Sequence, residues 1–105
     1  MARLKAFPPS VQDEFGYAIY LAQIGGKHLS AKPLKGLGPG VLEVVSDHRG
    51  DTFRAVYTVR FRARVYVLHA FQKKSKKGIA TPQSDIALLK QRLAQAAALH
   101  AAQER

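Results

Sequence analysis

Four lysines fall within five positions of the segment FQKKSKKGIATP, at Lys73, Lys74, Lys76 and Lys77. An ammonium group is a compact point charge for phosphate oxygens, and several of them on one loop can converge on a single phosphate without being buried. Thr81-Pro82 comes next with the signals of a helix start, Thr81 as N-cap and Pro82 at the first helical position. The N–H groups of that first turn add a second anion-attracting element beside the lysines. Upstream, Arg54 and Arg60 lie six residues apart in a period-two stretch and therefore share a strand face. If helices leave that face uncovered, arginines and lysines form one basic concavity. His69 stands among Val67, Ala70 and Phe71. The plain reading is a satisfied core histidine, and the chemical one is an acid or base that titrates near neutrality.

No acidic residue occurs between Asp51 and Asp85, so Arg54, Arg60, Arg62, Arg64 and the four lysines have no local counter-ion. A charge run is commonly a solvated face kept for solubility. Here it occupies strand-like sequence, where charge is costly unless it serves something. The whole chain carries 17 Lys+Arg against 7 Asp+Glu, a net charge of +10, which points to a polyanionic partner. The four histidines show no ligand spacing and the acids are scattered, so no metal site and no cofactor are expected. With no cysteine, disulfide scaffolds, thiolate zinc sites and cysteine nucleophiles are excluded. The glycines of Gly36-Leu37-Gly38-Pro39-Gly40 precede a strand rather than a helix, so they are no nucleotide fingerprint.

These groups need elements to position them, and 105 residues with 47% hydrophobic content suffice for one domain, residues 1–105. Ser10 and Asp13 have capping-box spacing, and Val11, Phe15, Ala18, Ile19 and Ala22 make one helical stripe that ends at Gly25-Gly26. Residues 27–40, rich in Pro and Gly, read as an irregular connection. Val41–Val45 is a short strand, succeeded by a turn over Asp47–Asp51. Phe53, Ala55, Tyr57, Val59 and Phe61 alternate with Arg54, Val56, Thr58, Arg60 and Arg62 in a second strand. Val65–Phe71 is apolar on both faces except at His69 and reads as a central strand. A last helix begins near Pro82, with Ile86, Leu89, Leu93, Ala96 and Ala97 buried, and its alanine-rich end is free to extend past the core. The expected fold is α+β: an antiparallel sheet of three to four strands with an N-terminal and a C-terminal helix on one face. MARLKAFPPS lacks the apolar stretch of a secretory signal and no apolar run reaches the ~20 residues of a membrane span, so the expected location is cytoplasmic.

The block from Leu34 to Leu93 contains LKGLGPGVLEVV, DTFRAVYTVRF, VYVLHAFQKKSKKGIATP and a final helix with KQRL. It closely resembles the phage-derived, HigB-like branch of the RelE/ParE type II toxin superfamily, and the likeness extends back through Phe15-Gly16-Tyr17. The resemblance implies a RelE-like small domain that acts as a toxin, a ribosome-dependent, metal-independent mRNA endoribonuclease that inhibits translation. It implies as partners a helix-turn-helix antitoxin, in a toxin–antitoxin hetero-oligomer, and the ribosome with its mRNA. Arg54 and Tyr57 match the superfamily's Arg-x-x-Tyr strand, and Lys73 and Lys74 its Lys-Lys pair. With His69 as the acid or base that its chemistry allows, the candidate catalytic set is Arg54, Lys73, Lys74 and His69, and the basic residues Arg60, Arg62, Lys76, Lys77 and Lys35 are the candidate RNA-binding set. Two other readings are a ParE-like gyrase inhibitor, in which the lysine loop has no catalytic part, and a degenerate member that only binds nucleic acid or antitoxin. RelE-type folds usually begin with a strand, where this chain has only MARLKAF before its first helix, and no tyrosine occurs after Tyr66.

Overall fold

Pro8 and Pro9 fix where the first helix begins, because a proline at the first helical position has its φ preset and no N–H to leave unpaired. In the computed structural model, which describes residues 7–61, 64–73 and 83–103, helix α1 runs over Pro9–Gln23. Ser10 is not its cap. Pro8 occupies that position without a side-chain bond, and the Ser10 hydroxyl lies 3.0 Å from His48 Nδ1 instead. Val11, Phe15 and Ala18 are buried as the stripe requires. Gly25 and Gly26 close the helix with N–H bonds to the carbonyls of Ala22 and Leu21, the paired arrangement of a Schellman stop.

The connection read as irregular holds a two-residue strand, β1 (Lys32–Pro33), which pairs with the start of β2 (Val41–His48). β2 is longer than its β-branched run, because Arg49 (φ 50°) and Gly50 (φ 87°) form a two-residue hairpin turn that lets His48 pair with Asp51. Positive φ at both central residues is the type I′ signature, whose twist matches that of the flanking strands. β3 (Asp51–Thr58) stops four residues short of Arg62. Its partner β2 begins at Val41 opposite Thr58, and the Thr58 hydroxyl donates to the Gly40 carbonyl while accepting the Arg60 N–H, which turns the chain out of the ladder. β4 (Tyr66–Lys73) comes next, and the order β1-β2-β3-β4 is an antiparallel meander. Among the described residues, then, β3 is an inner strand, buried from Phe53 to Thr58, and β4 is an edge.

α2 spans Gln83–Gln103. Its expected start, Thr81-Pro82, and the residues before α1, 1–6, lie outside the described residues. Leu89, Leu93 and Ala96 are buried, whereas Ala97 is exposed. The last turns of α2, which their alanines alone leave unanchored, are docked: His100 packs on Phe61 at 5.1 Å, and the Tyr66 hydroxyl donates to Gln103 Oε1.

The α+β architecture is the expected one, but the two helices take opposite faces of the sheet. Phe53, Ala55 and Tyr57 join Val44 and Ala70 under Val11, Phe15 and Ala18 of α1. Val41, Val56 and Leu68 meet Leu89, Leu93 and Ala96 of α2 on the other side. The reason is visible in β3 itself, whose even positions are Arg54, Val56 and Thr58: with Val56 fully buried, this second face has an apolar centre that needs its own cover. Full burial of such a side chain is worth roughly 1.5–3 kcal/mol, so neither face can be left wet cheaply.

Candidate functional site

Strand alternation alone would put Leu68 and His69 on opposite faces. The ladder between β3 and β4 slips by one: Val56 pairs with His69, but Tyr57 pairs with Val67, so Leu68 is an extra residue without a partner position. Such a bulge re-aims the side chains beyond it. His69 and Phe71 thereby share the α2 face with Arg54, which pairs directly with Phe71. The imidazole lies stacked on the Phe71 ring, centroids 4.8 Å apart.

Arg92, on α2 beside the Leu89–Leu93 stripe, completes this arrangement. Its Nη1 donates to the Leu68 carbonyl at 2.9 Å and lies 3.2 Å from His69 Nδ1. A guanidinium has no acceptor, so Nδ1 must accept, and in the neutral ring the proton resides on Nε2. One side chain therefore satisfies the bulge carbonyl and selects the histidine tautomer.

Arg54 lies deeper, 8% exposed, with Nη1 2.8 Å from Glu43 Oε2 in an ion pair diagonal across β2 and β3. Removing either partner would take the closest described counter-ion from a buried charge, a loss of several kcal/mol. Tyr57, the other residue of the Arg-x-x-Tyr stretch, points to the α1 side and is fully buried. Its hydroxyl has no hydrogen-bond partner among the described residues, and burial raises its pKa above the ordinary value.

The structure does not bring Arg54 and Arg60 into one basic concavity. α2 covers the Arg54 face, and Arg60 lies past the strand end with Nε on the Pro39 carbonyl (3.0 Å) and Nη2 on the Leu37 carbonyl (2.7 Å). Gly38 and Gly40 admit it, since a Cβ on Gly38 would stand 2.7 Å from Arg60 Nη2. Lys35 is exposed in the turn after β1. Lys73 ends β4 opposite Thr52, while Arg62, Lys74, Lys76 and Lys77 lie outside the described residues.

Sequence reasoning did not single out Arg92, Glu43 or Phe71. Arg92 had a signal: a cation three residues after Leu89 and next to Leu93 borders the buried stripe of its helix. Glu43 had one too, as the lone acid inside the apolar run Val41–Val45. The bulge that links them to His69 has no marker residue.

No helix among the described residues is long and apolar enough to cross a membrane. A family model described as Phage derived protein Gp49-like (DUF891) matches residues 2–94. No curated protein and no solved structure matches the chain.

Proposed function

The chain belongs to the phage-derived Gp49-like family, a family of type II toxins related to RelE and HigB, and from that footing we propose that it is a ribosome-dependent mRNA endoribonuclease. The observation that carries this reading is the clustering of His69, Arg54 and Arg92 around one stretch of β4, which runs at Lys73 into the lysine-rich segment. Metal-free RNA cleavage has three requirements. A base must take the proton of the 2′-hydroxyl as its oxygen attacks phosphorus. Positive charge must meet the extra negative charge at pentavalent phosphorus, and an acid must protonate the 5′-oxygen as its bond to phosphorus breaks.

Lys73 and Lys74 are assigned to the phosphate, with Lys76 and Lys77 on the flanking backbone. Because Arg92 makes His69 Nδ1 an acceptor, the neutral imidazole offers a donor at Nε2. His69 therefore suits the donor side of the reaction, toward a phosphate oxygen or the leaving 5′-oxygen. The base is then assigned to a lysine of the Lys73–Lys77 run. Arg54, buried on Glu43, acts from beneath the strand and fixes the field and geometry of β4 rather than holding RNA on the surface. The partner that restrains such a toxin is an antitoxin with a helix-turn-helix domain, and the working location is the cytoplasm.

Induced expression with subsequent mapping of mRNA 5′ ends tests the assignment. Codon-phased cleavage should appear with the wild-type chain and fall on the order of 10²- to 10³-fold with Lys73→Ala/Lys74→Ala. DNA damage with intact mRNA would instead indicate a gyrase inhibitor, and unimpaired growth a member that only binds.

A further inference from the structure

The helix that covers one core also presents an apolar stripe to solvent. Asp13, Tyr17 and Tyr20 on α1 and Ile24 at its C-cap follow one another at intervals of four, three and four residues, the seam spacing of paired helices. That stripe lies opposite Val11, Phe15 and Ala18, which the sheet buries. Tyr17 (56%), Tyr20 (54%) and Ile24 (62%) are all more than half exposed. His28 meets Tyr17 edge-on at 5.9 Å and still leaves the ring that open, while the next residue, Leu29, is fully exposed. Grouped apolar surface of this kind marks an interaction site. The stripe also carries none of the chain's charge excess. From Phe15 to Gly26 no residue is charged, and the charges lie at the two ends, Asp13 and Glu14 before and Lys27 after. Gly16 stands beside the stripe in mid-helix, where glycine is a poor helix former. A Cβ added there would meet no atom within 4 Å, so no contact in the described chain requires a glycine.

We infer that this face of α1 is the docking site for a second copy of the chain, packed antiparallel across a two-fold axis through Tyr20. In such an interface each residue meets its counterpart twice, so the surface must be complementary to itself. Gly16 and Ile24 each lie four residues from Tyr20, and Asp13 and Lys27 each lie seven. Ile24 of one copy therefore enters the open position over Gly16 of the other, and Asp13 of one meets Lys27 of the other at both ends. The two Tyr20 rings pack on each other at the axis. Charge selects the same occupant. Two chains of net charge +10 repel over most of their surface and approach best where positive charge is absent. An RNA strand is disfavoured by the same facts, since the stripe itself offers no cation and two carboxylates stand at one end. His69, Arg54 and Arg92 lie on the α2 side of the sheet, so pairing through α1 covers neither copy's cluster.

Sedimentation velocity of the full chain over a range of concentrations tests the pairing. The wild type should pass from monomer to dimer as concentration rises, and Tyr20→Asp, which sets two carboxylates on the axis, should weaken the dimer about tenfold or more. Asp13→Lys should weaken it about fivefold, and Asp13→Lys/Lys27→Asp should restore it. Gly16→Leu should raise the melting temperature of the dilute monomer and still weaken the dimer, a combination that misfolding does not produce. Because the chain has no cysteine of its own, Tyr20→Cys should form an intermolecular disulfide on mild oxidation, whereas Gln91→Cys, exposed on α2, should not. A wild type that stays monomeric at every concentration would overturn the inference, as would a dimer that neither Tyr20→Asp nor Gly16→Leu weakens. Loss of affinity for a labelled single-stranded RNA in Tyr20→Asp, with self-association unchanged, would overturn it in favour of RNA.

Discussion

Arg92 cannot accept a hydrogen bond, and that one property dictates the protonation of the ring it touches. With Arg92→Ala the Leu68 carbonyl and His69 Nδ1 lose their shared donor, so His69 should redistribute between tautomers. The ¹⁵N shifts of its imidazole report this directly, and cleavage should fall about tenfold or more, as for other second partners of a site histidine. Arg92→Lys, which keeps the charge and N–H donors on a single nitrogen, should restore part of both. A merely structural role for Arg92 would lower stability and leave the tautomer ratio unmoved. Tyr57 offers a contrasting case, a buried hydroxyl that no described group satisfies. Tyr57→Phe should therefore be neutral or stabilising by about 0–1 kcal/mol in urea melts, since it removes an unmet desolvation cost. The same burial raises the phenol's pKa in the folded state above its ordinary value of 10.0. Below that pH both states hold the proton and nothing changes. As pH rises through it the unfolded chain ionises first, so wild-type stability should fall more steeply with alkaline pH than that of Tyr57→Phe.

Turns and irregularities set the elements more than strand propensity does. β3 reads as a strand up to Arg62, yet Thr58 ends it by bonding the Gly40 carbonyl, and the Arg60 guanidinium then holds the Leu37 and Pro39 carbonyls. Gly40 makes that corner possible. Its φ is +81°, and a Cβ there would lie 3.1 Å from both Cα and Cβ of Arg60. Gly40→Ala should therefore destabilise the protein by about 1–3 kcal/mol, read as a lower denaturant midpoint at unchanged slope. Moreover, it should spare the His69–Arg92 pair, because that contact belongs to β4 and α2. At the same scale the bulge at Leu68 does what no propensity announces, turning a strand that reads as apolar on both faces except at His69 into one that presents His69 and Phe71 beside Arg54.

For the whole molecule, the sheet is a partition between two cores, and the charge excess is a surface property laid over both. Net charge of +10 steers polyanions toward the chain, and it predicts strong salt dependence for RNA. The logarithm of affinity for single-stranded RNA should fall linearly with the logarithm of salt concentration. Lys73→Ala/Lys74→Ala should reduce that slope by about 1.4, two phosphate contacts at roughly 0.7 each, in fluorescence anisotropy titrations. An unchanged slope would remove both lysines from the RNA contact.

The periodicities of this sequence by themselves determined both helices and the meander, because local spacing of apolar residues dictates which face an element can bury, and its residue types alone gave the acid-free segment. Val11, Phe15 and Ala18 were legible in that way, as were Leu89 and Leu93. Ser10 was not: its type suits a cap, but the preceding prolines had already fixed the helix start, and its hydroxyl lies instead beside His48, 38 positions away. What only the tertiary structure decided is the face each helix takes, the burial of Arg54 on Glu43, and the pairing of His69 with Arg92. The first depends on both sides of β3 being apolar enough to need cover, and the other two on contacts between residues 11 and 23 positions apart. Distances of that kind are set by strand register, and the one-residue slip at Leu68 re-aims His69 toward Arg92 without changing any local pattern.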